Sequence, residues 1–188
     1  FFNFIYHFSI DLFYISIYTN RCCFKYSNIM KFEIFKFEEV TSTNDAAINL
    51  IRNNKKKYGC VYSKKQTHGR GRHGNKWISN YGNLFGSVFF PLKNNYPPFN
   101  EFSLINPVLI HDVIKKLCKP NKISIKFPND IFLNGKKICG ILQEIITLNS
   151  RKFLIIGIGI NTTSSPNINK KYKATSIFKE TKKKHSLK

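Results

Sequence analysis

The segment Phe153–Ile160, FLIIGIGI, carries no charged and no polar side chain, and glycine takes two of its last four positions before Asn161. Such a run fits a buried strand, and successive side chains of a strand point to opposite faces. Gly157 and Gly159 therefore leave one face of that strand bare. A bare face packs poorly unless something fills it, so we expect it to floor a ligand site. A chain holding this strand must build a sheet around it.

The rest of the chain supplies that sheet. Lys31–Val40 alternates apolar and polar residues as a half-buried strand does. Thr41-Ser42-Thr43 then offers capping side chains, with Asp45 in a first turn and Ala47, Leu50 and Ile51 on one helical face. Gly59–Lys65 and Leu84–Leu92 read as strands, and Ile123–Phe127 as one that must stay extended before Pro128. Phe102, Ile105, Leu109, Val113 and Leu117 recur at helical spacing, with Pro107 either opening that helix or kinking it. Ile131–Leu133 and Lys137–Leu142 flank Asn134-Gly135, the strongest short hairpin signal. A short helix is expected at Ala174–Lys179. Strands outnumber helices and are interrupted by them, so the expected fold class is α+β, a mixed β-sheet flanked by helices.

The 188 residues suggest a single domain of ordinary size, 42% hydrophobic, with enough apolar side chain for a core. We assign residues 30–163 to it. Residues 1–29 are left out of it, either as a decayed targeting leader or as upstream sequence belonging to no domain; Asn3, His7, Ser9, Asp11 and Ser16 break the apolar run of Phe1–Tyr18 as a membrane span would not allow. Residues 164–188 form a Lys-rich C-terminal segment. Cys22, Cys23, Cys60, Cys118 and Cys139 contain no CxxC pair and are odd in number, which argues for reduced thiols rather than a disulfide framework or zinc ribbon. Localisation is expected to be cytoplasmic, or a plastid-type organelle if the leader is a targeting segment.

Lys and Arg total 31 against 10 Asp and Glu, a formal charge of +21. A polyanionic partner is one reading. Coding bias in an AT-rich genome is the other, and it accounts for most of the Lys, since Asn, Ile, Phe and Tyr are also abundant. Arg is scarce, so Arg70 and Arg72 in the loop Gly69-Arg70-Gly71-Arg72-His73-Gly74 stand out. Gln66–Lys76 holds no apolar residue and must face solvent. Its glycines free the backbone to wrap a ligand, and its arginines bring permanent charge. It is neither a P-loop nor a Rossmann turn. Trp77, the only Trp, suits a core role and a ligand platform equally. Ser42-Thr43-Asn44 suits an uncharged ligand rich in hydrogen-bonding edges, or simply an N-cap. Asp130 and Lys137, on adjacent hairpin arms, could hold Mg²⁺ and phosphate oxygens, or form a surface ion pair.

In order and spacing, TSTN at Thr41–Asn44, QTHGRGRHGNKW at Gln66–Trp77, KFPND at Lys126–Asp130, GKKICGILQE at Gly135–Glu144, GIGIN at Gly157–Asn161 and ATSI at Ala174–Ile177 resemble the biotin protein ligase family. The resemblance covers about residues 33–179, with Phe127 where Trp is usual. The chain stops where the family continues into further helices and a small β-barrel. The resemblance implies a fold like that of class II aminoacyl-tRNA synthetases and a two-step reaction. Biotin and MgATP give biotinyl-5′-AMP and pyrophosphate, and a Lys of a biotin carboxyl carrier domain, as in acetyl-CoA carboxylase, then takes the biotinyl group.

By carry-over, Ser42, Thr43, Asn44, Gln66, Gly69, Arg70, Gly71, Arg72, Lys137, Gly140, Gly157 and Gly159 form the biotin site. Arg70, Arg72, His73, Gly74, Trp77, Asn129, Lys137 and Asn161 form the ATP site, and Lys137, Arg72 and Asp130 are catalytic, with Asp130 either the Mg²⁺ ligand or the carboxylate that assists the amine. Such chemistry needs cations because one anion must approach another, and no general base for its first step, because a carboxylate is already ionised at neutral pH. A homodimer is an expected form. No helix-turn-helix pattern precedes Lys31, so we expect no DNA-binding domain. A lipoate–protein ligase-like adenylating enzyme is the first alternative, which the GRGRHG loop and Lys126–Asp130 disfavour. A basic RNA-binding module is the second, and the absence of aromatics in Gln66–Lys76 disfavours it. An inactive fragment is the third.

Overall fold

The computed structural model describes residues 33–166 and 173–183. The expectations for residues 1–29 and for much of the tail lie outside them. Seven strands form one sheet: β1 (Glu33–Val40), β2 (Gly59–Gln66), β3 (Leu84–Pro91), β4 (Ile123–Lys126), β5 (Asp130–Leu133), β6 (Lys136–Leu148) and β7 (Arg151–Ile160). Their order is β1-β2-β3-β7-β6-β5-β4. Only β1 and β2 run parallel, joined through helix α1 (Thr43–Arg52); all other neighbours are antiparallel. The sheet is mixed and the class is α+β, as expected.

The apolar strand β7 lies fourth in the order and is covered on both faces. Phe153 and Ile155 join Ala47, Leu50 and Ile51 of α1, while Leu154, Ile156, Ile158 and Ile160 join the larger core under helix α2 (Phe99–Cys118). Cys60, Cys118 and Cys139 are buried free thiols, and burial pushes the Cys118 thiol up to about 11.

Local chemistry explains most boundaries. Ser42 caps α1 through its hydroxyl, which accepts from the Asp45 N–H at 3.5 Å. Asn134 and Gly135 both adopt positive φ, 50° and 74°, the pair of values a two-residue hairpin wants. The β6–β7 turn is made the same way by Asn149 and Ser150, at 48° and 62°, without any glycine to announce it.

Two expectations need correction, and one choice is decided. Pro107 does not open α2 but sits inside it, the place its other reading required, where its missing N–H forfeits the bond to the Ser103 carbonyl. The buried face of α2 is Phe102, Asn106, Pro107, Ile110, Val113, Ile114 and Cys118, and Leu117 is 37% exposed. Repeated steps of four residues overshoot a 3.6-residue turn, so the stripe read through Leu109 to Leu117 drifts off the buried side. The final helix, α3 (Ile177–Thr181), starts later than Ala174, because Ser176 is its N-cap and Ala174 pairs as a parallel bridge with Lys137.

Candidate active site

A cavity of ≈620 Å³ opens on the α1 face of the sheet, in the usual range for small-molecule sites. Its lining includes Ser42, Thr43, Asn44, Gln66, Arg70, Gly71, Arg72, His73, Trp77, Asn129, Asp130, Lys137, Gly140, Gly157, Gly159 and Asn161, nearly every site residue the sequence singles out. Gly69 and Gly74 are the exceptions. Gly69 is wedged under the Trp77 carbonyl, and Gly74 lies in the exposed turn at the loop tip with φ of 72°.

One end of the cavity is polar and nearly uncharged. The Thr43 N–H and hydroxyl both donate to Gln66 Oε1, at 2.8 and 3.1 Å, and Gln66 Nε2 donates to Ser79 Oγ at 2.9 Å. Ser87 Oγ lies 2.8 Å from Thr43 Oγ1 and 2.6 Å from Asn44 Oδ1. Asn44 Nδ2 donates to Glu144 Oε2 at 2.6 Å. Sequence reading missed Ser79, Ser87 and Glu144 as parts of this network. Ser87 is a lone hydroxyl in the otherwise apolar β3, which is the signal that could have found it.

The glycine floor is real but is not bare. A Cβ on Gly157 would collide with the Asn44 amide; one on Gly159 would lie 2.5 Å from Trp77 Cε2, and one on Gly140 2.6 Å from Trp77 Cζ3. Gly140 and Gly159 are register partners across β6 and β7, so the two gaps adjoin and the indole fills both. The protein's own side chains thus fill part of the space that the sequence suggested for ligand, while all three glycines still line the cavity.

The other end is cationic. Lys137 Nζ sits 2.6 Å from Asp130 Oδ1, an ion pair with side chains only 25% and 13% exposed, so the surface-pair reading fails. Lys136 points away to Glu180 Oε1 at 2.9 Å, the opposite facing expected of its register. Arg72 Nη1 donates to Asn129 Oδ1 at 3.2 Å. Arg70 behaves differently: it grips both carboxylate oxygens of Glu144 at 2.9 Å and Asp45 Oδ1 at 2.7 Å. Its charge is matched by this chain's own carboxylates, which ties the loop to β6 and α1. The loop is further closed by Trp77 N–H to the Gly69 carbonyl at 2.8 Å and Gly71 N–H to the Asn75 carbonyl at 2.6 Å. Polar bonds thus offset its backbone entropy without an apolar contact.

Residues 173–183 complete this end. Lys137 N–H donates to the Lys173 carbonyl, and the Thr175 N–H to the Lys137 carbonyl, at 2.9 and 3.0 Å. Glu180 accepts from Thr175 Oγ1, Asn134 Nδ2 and Lys136 Nζ, which together hold its carboxyl down to about 2. Among the described residues no group of three His, Cys, Asp or Glu side chains could cage a metal.

Fold and cavity make this an α+β domain with a cleft of small-molecule size, neutral and polar at one end and cationic at the other. Residues 35–161 match the model of the biotin/lipoate A/B protein ligase family, and the chain belongs to that family. It is 34% identical to the bifunctional ligase/repressor BirA of Escherichia coli over 124 residues, covering 65% of this chain and 38% of that protein. It is 31% identical to the biotin–[acetyl-CoA-carboxylase] ligase of Paracoccus denitrificans over 108 residues, 56% of this chain and 45% of that one. The biotin protein ligase of Leishmania major in complex with biotinyl-5-AMP superposes with a TM-score of 0.67 at 30% identity, over 80% of this chain and 65% of that one. The chain thus spans less than half the length of these two curated relatives.

Proposed function

We propose that this domain activates biotin as biotinyl-5′-AMP and passes the biotinyl group to a Lys of a biotin carrier domain, such as that of acetyl-CoA carboxylase. The observation that carries the reading is the polar end of the cavity, where Thr43, Asn44, Gln66 and Ser87 meet. The ureido ring of biotin both donates and accepts hydrogen bonds, whereas the dithiolane of lipoate offers such a site almost nothing. The complex of the Leishmania relative with biotinyl-5-AMP supports the same choice.

The cationic end suits the chemistry. In the first step a carboxylate oxygen bonds to the α-phosphorus of ATP and the bond to pyrophosphate breaks. Lys137 and Arg72 lie where they can lower the repulsion between the two anions and neutralise the charge that develops. In the second step an amine nitrogen bonds to the acyl carbon, AMP departs, and the amine proton passes to a base, a role open to Asp130 as the carboxylate of the described cavity lining. Were Mg²⁺ to come with the nucleotide, Asp130 would be the carboxylate of the cavity lining able to hold it, and the ion would supply charge neutralisation for the phosphates, as an ion commonly held by one or two carboxylates plus substrate phosphates does.

The test is pyrophosphate release from ATP with biotin or with lipoate, followed by transfer of label to a carrier domain. Release with biotin and not with lipoate is expected. Release with lipoate alone overturns the assignment.

A further inference from the structure

We infer that Trp77 is a positioning residue for Lys137, and that Gly140 and Gly159 are glycines because they seat its indole. The inference rests on the role given to Lys137 above but concerns a group no comparison assigns to it. The Lys137 ammonium lies over the Trp77 ring, 5.5 Å from its centroid, while Asp130 Oδ1 holds the same ammonium at 2.6 Å. The ring itself cannot sink further: it already occupies the Cβ space of two adjoining glycines, at 2.6 and 2.5 Å.

Its Nε1 is fully buried without a hydrogen-bond partner. A buried indole that leaves its N–H unpaired forgoes stability. Its placement is therefore explained by what its π face does, not by that polar atom. A cation on an aromatic face is attracted most strongly when water is excluded, as it largely is for a Lys only 25% exposed. Four loosely jointed methylene groups leave a Lys free to wander; the ring and the carboxylate together confine the ammonium to one place beside the phosphate-facing wall. Arg72, the neighbouring cation, has Asn129 as its partner.

Trp77 is the only Trp in the chain, so its emission reports this contact directly. In ligand-free protein, Lys137→Ala should change the emission and Lys136→Ala should not, since Lys136 turns to Glu180. Identical emission in parent and Lys137→Ala overturns the inference whatever the enzyme does.

A second measurement takes whichever acid the parent accepts. Trp77→Leu keeps apolar bulk but no π face, and should lower kcat for pyrophosphate release about tenfold with KM for the acid held within about twofold. Trp77→Phe, which keeps a ring, should recover most of that loss. Equal kcat for the Leu and Phe variants overturns the inference, as does a raised KM with unchanged kcat, which would make Trp77 a wall of the ligand site. A parent that takes lipoate in place of biotin overturns the substrate assignment alone, and the same comparison then decides the role of Trp77. A parent active with neither acid overturns the proposed function, and the emission then decides.

Discussion

Lys137 and Lys136 differ by one position and by everything that surrounds them. Lys137 faces Asp130 inside the cavity, and Lys136 faces Glu180 outside it. Lys137→Ala should lower pyrophosphate release by on the order of 10²–10³, the usual cost of removing a donor from developing charge. Lys136→Ala should stay within a few-fold, and the reverse ranking would put the site on the wrong face of β6. The two arginines part in the same way. Arg70→Ala unties the loop from Glu144 and Asp45, so proteolysis within Gln66–Lys76 should speed up in the absence of any ligand. Arg72→Ala leaves those ties intact and should instead hasten release of the adenylate. Equal cleavage of the parent and Arg70→Ala would show that backbone bonds alone close the loop. The sequence singled out both arginines. It could not show that one of them is matched to Glu144, because that pairing joins distant stretches of chain.

Among the elements, the hairpins show what local pattern can and cannot reveal. Asn134-Gly135 was legible because glycine enters positive φ without strain. Gly135→Ala meets no atom within 4 Å, yet holds an L-residue at φ of 74°, so it should destabilise the domain by about 1 kcal/mol in denaturant unfolding without touching the cavity. The turn at Asn149-Ser150 was not legible, since neither residue demands such a conformation. The strands themselves were found because apolar runs and alternation are local signals. The buried side of α2 was misplaced because a run of four-residue steps only approximates its period. The glycine pattern of β7 marked a face that something must fill; part of the filling comes from Asn44 and Trp77, on other parts of the chain, and no local rule points to them.

At the scale of the whole molecule, the described tail is held to the sheet by backbone bonds at Lys137, Asn161 and Thr162 and, among side chains, by the Glu180 carboxylate. Three donors converge on Glu180 and keep it ionised down to about 2, below the usual 4.5. A carboxyl whose folded pKa is depressed contributes stability that is complete above its unfolded value and is lost as pH falls. The melting temperature should therefore drop between about 4.5 and about 2, and Glu180→Gln should flatten that part of the profile. An unchanged acid limb would assign the loss to other carboxylates. The seat of the indole has a consequence for how such sequences drift. Positions 77, 140 and 159 lie on three separate stretches of chain yet share one volume. None can accept a larger side chain until another gives way, so substitutions there should accumulate in compensating sets, while the solvent-facing lysines around them change one at a time.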